Sequence, residues 1–142
     1  MNLVFALAMA SSWLTKTQDI AIEGQAKFYS PDIMPRVAVN RGFIDDPSEY
    51  GAWLKEEGVD GAAALMRVGD IGRKFTIVWE NGTRTRHIAI DCADFKHYSR
   101  RLELGDVVEV DWATAQRMGM LGPVLVRIIF DVELKWLKYI PI

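Results

Sequence analysis

Apolar and polar residues alternate along Lys74–Trp79, placing Phe75, Ile77 and Trp79 on one face, and β-branched residues resume from Thr83 to Ile90 beyond Asn81-Gly82. Two such runs either side of Asn-Gly predict a β-hairpin, its two-residue turn holding both central residues at positive φ. Looser alternation from Ile22 to Tyr29, ended by Ser30-Pro31, predicts an earlier strand. The short β-branched run Val37–Val39 predicts another before Gly42. Val107–Val110 and the long run Val124–Val132 complete a set of roughly six strands.

Two segments carry helix signals instead. In Asp46-Pro47-Ser48-Glu49 the aspartate can cap, proline fits the first helical position, and Glu49 can close a capping box. That helix runs over Tyr50, Trp53 and Leu54 and stops near Gly58, as an insertion on a β domain. Asp111 caps a second short helix, Trp112–Met118, ending at Gly119. Asp94–Arg101 is expected to form a short helix or turn, and the apolar tail Leu134–Ile142 to dock on the domain. Short strands with so few helices predict a mainly β fold, a closed barrel, because doubly wound folds need a helix after nearly every strand. The sequence contains no repeat and no interdomain linker.

At 142 residues the chain has room for one core, and its composition is that of a globular protein. Residues 1–20 form a separate N-terminal segment and residues 21–142 the barrel domain. Leu3–Ala10 is apolar and is followed by Ser11-Ser12, like the core and small-residue end of a secretory signal, but no Lys or Arg precedes it. An export or anchoring segment, a signal whose basic start lies upstream, and an amphipathic helix packed on the domain are all consistent with this run. It is too short to span a bilayer, so no stable membrane span is expected. The net charge of −2 provides no general field for nucleic acid, although Arg84, Arg86, Arg100 and Arg101 lie close in sequence. One cysteine, Cys92, precludes an internal disulfide, and no cationic neighbour in the sequence marks it as a nucleophile. There is no phosphate-binding glycine loop, and two histidines with one cysteine make a metal site unexpected; no cofactor is implied.

Ile90-Asp91-Cys92-Ala93-Asp94-Phe95-Lys96-His97-Tyr98 gathers two carboxylates, a thiol, an imidazole and a phenol after an apolar strand. A partly desolvated aspartate there suits a general acid, with His97 as orienting partner or second proton carrier. The same residues also fit plain structural roles, with Asp91 and Asp94 capping turns and His97 at the surface. Tyr29, Trp53, Trp79 and Trp112 could stack on sugar rings or fill a core, and Trp79 fits the core.

Three ordered stretches resemble the double-psi β-barrel of the rare lipoprotein A, barwin and expansin N-terminal group. Gly24-Gln25-Ala26-Lys27-Phe28-Tyr29 resembles the family's opening G-x-A-S-x-Y. Gly69 through Asn81-Gly82 to Asp91 resembles its hairpin closed by an aspartate, and Val110-Asp111 through Met120 to Ile128 its I-D-L-S segment and last strand. The resemblance implies a six-stranded double-psi barrel with a few short helices, secreted or facing the cell envelope. Its polysaccharide partner would be one such as peptidoglycan, in some members cleaved by lytic transglycosylation with one aspartate as general acid. Asp91 takes that position, with Asp94 and His97 as catalytic neighbours. Tyr29, Asn40, Arg41 and Tyr98 are the implied substrate-binding residues. The chain departs from the family pattern in two places: Cys92-Ala93-Asp94-Phe95 stands where R-G-P-F is usual, and Val37–Gly42 carries no glutamate at the early T-A-x-G-E motif. The second departure favours a non-catalytic, expansin-like binding module, and a purely structural or interaction protein is the third reading.

Overall fold

A computed structural model describes residues 21–93, 103 and 105–131. Six strands, β1 (Ile22–Phe28), β2 (Gly61–Leu65), β3 (Lys74–Trp79), β4 (Arg84–Cys92), β5 (Asp106–Val110) and β6 (Val124–Phe130), close into a barrel in the order β1-β5-β2-β4-β3-β6. Among the described residues, short helices α1 (Ile33–Asn40), α2 (Tyr50–Glu57) and α3 (Trp112–Arg117) accompany them. The mainly β barrel expected from the alternation is therefore observed.

The pairings have an order that the sequence hides. β1 runs parallel to β5 and antiparallel to β6, while β4 runs parallel to β2 and antiparallel to β3. The β2–β5 and β3–β6 ladders are both antiparallel. Exchanging β1-β2-β3 with β4-β5-β6 therefore leaves the ring unchanged, and every ladder joins a strand of one half to a strand of the other. Each parallel ladder also carries a bulge, between Gln25 and Ala26 opposite β5, and between Ala63 and Ala64 opposite β4.

All six strands send alternate residues inward to one cluster that includes Ala26, Ala63, Phe75, Ile77, Ala89, Val110 and Ile128. Trp79 belongs to it, as expected of a core tryptophan. A second cluster lies outside the wall, where Ala62, Ile88 and Ile90 meet Met34 and Ala38 of α1 and Trp53 of α2. β2 is Gly-Ala-Ala-Ala-Leu and buried throughout, so its small side chains let a helical layer approach one face while the barrel fills the other.

Three local expectations are corrected. Val37–Val39 lies in helix α1 rather than a strand, because Met34 and Ala38, four residues apart, bury together against Ile88 and Ile90. Pro35 is tolerated there since first-turn amides lack intrahelical acceptors. The hairpin is present, but its loop has three residues. Gly82 N–H bonds to the Trp79 carbonyl, Trp79 N–H bonds to the Thr83 carbonyl, and Gly82 alone takes positive φ, at 85°. This is a type I turn with a glycine bulge, and Asn81 contributes by accepting from Thr83 N–H at 2.9 Å. The third correction is the added strand β2, which the alternation did not predict.

The helix signals hold. Asp46 and Glu49 form the reciprocal capping box, Gly58 ends α2 at φ 72°, and the Asp111 side chain accepts from Thr114 N–H. The insertion is anchored rather than ornamental, since Lys74 Nζ on β3 meets the Glu57 carboxylate at 3.0 Å and its carbonyl at 2.7 Å. Residues 1–20, the Asp94–Arg101 segment and the Leu134–Ile142 tail lie outside the described residues. Among the described residues no helix is long and apolar enough to cross a membrane.

Gly24 shows how tightly β1 and β5 approach. A Cβ there would sit 2.5 Å from the Gly105 carbonyl oxygen and 2.5 Å from Val107 Cγ1. Gly24→Ala is expected to destabilise the barrel by about 1–3 kcal/mol in urea unfolding. An unchanged midpoint would mean that this ladder opens there without cost.

Candidate functional site

Strict alternation along β4 would turn Asp91 inward, because Ala89 faces the barrel interior and Ile90 the outer layer. The bulge breaks that alternation. Ala63 pairs with Ala89 and Ala64 pairs with Asp91, so Ile90 is the extra residue and Asp91 shares a face with Ala64. Re-aiming one side chain is what a bulge does, and this one delivers the carboxylate to the outer wall.

Two donors meet it there. Tyr29, just beyond β1, donates its phenol hydrogen to Asp91 Oδ2 at 3.1 Å. Arg41, which closes the C-terminus of α1, donates from Nη2 to Asp91 Oδ1 at 2.6 Å. The Arg41 side chain is 41% exposed and the Asp91 side chain 19% exposed, so the group opens to solvent at its arginine end. The Asp91 hydrogen bond holds the Arg41 guanidinium above its ordinary value, against the opposing effect of burial. Three segments distant in sequence thus converge on one carboxylate.

Of the site residues expected from the sequence, Tyr29, Arg41 and Asp91 come together. Asn40 is exposed at the end of α1, next to Arg41 in the chain, and has no role in this trio. Asp94, His97 and Tyr98 lie outside the described residues. The Arg41 guanidinium also lies near the Cys92 thiol, a cationic neighbour that is distant in sequence. Arg86, half of the basic pair on the hairpin, is neutralised by a fork-like pairing with Asp131 at 2.5 and 2.7 Å. Among the described residues no group of three His, Cys, Asp or Glu is placed to hold a metal ion.

A buried support stands next to the trio. Asp111, matched to the family's later aspartate and expected to cap α3, does so at 3.0 Å from Thr114 N–H. It also accepts from the Tyr50 phenol at 2.5 Å, while that phenol oxygen accepts from Ala62 N–H at 3.1 Å. Burial, with the Asp111 charge, pushes the Tyr50 phenol well above its ordinary value, so it stays a donor. Sequence reasoning missed Tyr50 as a polar partner and took it only for a helix residue. Ser30, Tyr50, Asp111 and Trp112 line a cavity of about 160 Å³, and Trp112 packs at 5.7 Å on Phe28. The second polar group that sequence reasoning missed is inside the barrel. Trp79 Nε1–H can only donate, so Thr85 Oγ accepts from it at 2.8 Å, and the same oxygen lies in hydrogen-bond contact with His87 Nε2 at 2.6 Å. Burial favours the neutral form of His87, whose Nδ1 has no well-formed hydrogen bond among the described residues.

No family model matches the chain, and no curated protein matches its sequence.

Proposed function

We propose that this chain is a glycan-binding barrel of the double-psi type, secreted or facing the cell envelope, that grips a polysaccharide such as peptidoglycan through Tyr29, Arg41 and Asp91. The observation that carries the reading is the convergence of these three residues on a solvent-facing part of the wall. Saccharides present dense hydroxyl groups, and a guanidinium, a carboxylate and a phenol held against one another offer donors and acceptors in fixed directions. The double-psi assignment draws support from the three resembling stretches and from the exchangeable halves of the ring. Export draws support from the Leu3–Ala10 run and the resemblance.

Binding without cleavage is the favoured form. Both Asp91 oxygens are engaged within the protein, Oδ2 by the Tyr29 phenol and Oδ1 by the Arg41 guanidinium, whereas a general acid must present a proton to its substrate. The early motif also lacks its glutamate.

The test is incubation with insoluble peptidoglycan, pelleting, and mass analysis of the supernatant. The expected result is wild-type protein in the pellet with a clean supernatant, and roughly tenfold weaker retention for Arg41→Ala and Asp91→Asn. Anhydro-sugar fragments that disappear with Asp91→Asn would establish a lytic enzyme instead. Protein that stays in solution would overturn the glycan reading.

A further inference from the structure

The bulge between β1 and β5 also re-aims a carboxyl group. Gln25 pairs with Asp106 and Ala26 with Val108, so Val107 is the extra residue of β5. Ala26 points into the barrel, which leaves Gln25 and Lys27 on the outer face of β1, where their partners across the ladder are Asp106 and Glu109. Lys27 Nζ lies 2.9 Å from Asp106 Oδ2, with the Asp106 side chain wholly buried and the Lys27 side chain 33% exposed. Glu109 is buried as well.

This pair differs from the other ion pairs of the domain. Among the described residues, neither Asp106 oxygen accepts a well-formed hydrogen bond. Asp70, by contrast, accepts from both Arg67 and Arg73. Lys74 and Glu57 are partly exposed at both ends, and the Lys74 amine also bonds to the Glu57 carbonyl. A buried carboxylate without hydrogen bonds is costly, and an amine in contact offsets that only in part. Condensation of the two groups into an amide removes both charges, and the burial of Asp106 keeps out the water that would reverse it.

We infer that Lys27 and Asp106 join in an isopeptide bond that fastens β1 to β5. The Lys27 ammonium first passes a proton to the Asp106 carboxylate, and Glu109, the register partner of Lys27, is placed to relay it. The freed lone pair of Nζ then adds to Asp106 Cγ. The bond from Cγ to the hydroxyl oxygen breaks, and that hydroxyl leaves with one hydrogen of the amine as water. The step consumes no oxidant and needs no cofactor. It closes the chain between residues 27 and 106 into a loop, the kind of constraint a disulfide supplies, in a chain with one cysteine. The inference is independent of the glycan reading.

Intact-mass measurement of the purified full chain tests it. Wild type is expected to be lighter than its sequence by one water, and tandem mass analysis of a tryptic digest should find a branched peptide joining Lys27 to Asp106. Cyclisation at Asp60-Gly61 would also release water, so the comparison is with Lys27→Arg, which keeps the cation but lacks the amine. That variant is expected at its full sequence mass. Wild type at full mass, a branched peptide joining other residues, or the same loss of water in Lys27→Arg would each overturn the inference.

Discussion

Asp111→Ala is expected to lower the stability of the domain by about 3 kcal/mol, a large part of what a chain of this size possesses. Asp111 is nearly fully buried and serves two donors from different elements, Thr114 N–H at the start of α3 and the Tyr50 phenol at the start of α2. Losing the cap costs about 1 kcal/mol, and leaving the phenol without its charged acceptor costs about 2 kcal/mol more. Gly61 is part of the same arrangement, because a Cβ on it would lie 2.9 Å from both Asp111 oxygens and 2.7 Å from Thr114 Oγ1. Asp111→Asn, which retains an acceptor, should cost less. Urea unfolding of the two variants beside wild type is the measurement. A loss in Asp111→Ala smaller than about 1 kcal/mol would show that the helical layer is held mainly by its apolar contacts.

Acidification should weaken the barrel well before ordinary carboxylates titrate. His87 is fully buried beside Phe75, and burial lowers its pKa from an ordinary 6.5 to about 4. The nearby carboxylates of Asp111 and Asp60 oppose that shift, and Arg117 adds to it. Between pH 6.5 and 4 the unfolded chain therefore binds a proton that the folded chain refuses. Stability is complete above about pH 6.5, falls as the pH drops, and has lost about 3 kcal/mol from this group near pH 4. The Arg86–Asp131 pair titrates in a lower window, because Arg86 holds Asp131 below its ordinary value. Urea unfolding of wild type at several pH values across this window checks the expectation, and His87→Phe should flatten the response. A wild-type profile that is level from pH 6.5 to 4.5 would assign the acid sensitivity elsewhere.

Legibility in the sequence followed the strength of local signals. The β3–β4 hairpin, the capping box and the Asp111 cap were readable because each depends on neighbours within a few residues. Even there the loop was read one residue short, since Asn-Gly suits both a two-residue turn and a glycine bulge. The helix α1 was not readable because Val37–Val39 favours a strand locally, and only the distant residues Ile88 and Ile90 make helical burial of Met34 and Ala38 profitable. Strand β2 was invisible because alanine has neither strand propensity nor contrast with its neighbours. Asp91 stood out by its place after an apolar strand and Tyr29 as an aromatic able to stack on sugar rings, while Arg41 came only from the resemblance. The bulge at Ile90, the Arg41 ion pair and the proximity of Arg41 to Cys92 depend on three-dimensional register that no spacing reveals.

Because no strand of the first half pairs with another of its own half, synthesis of the chain poses a timing problem. As β1, β2 and β3 leave the ribosome they find no partners, and the first ladder available is the hairpin formed once β4 follows. β1 waits longest, since its neighbours β5 and β6 are the last two of the barrel's strands to be made. During that interval its free edge is a template for aggregation, and Glu23 and Lys27 are the charges that guard it. Two separate fragments divided at the β3–β4 loop would each emerge without a sheet, and the barrel would arise only when they met.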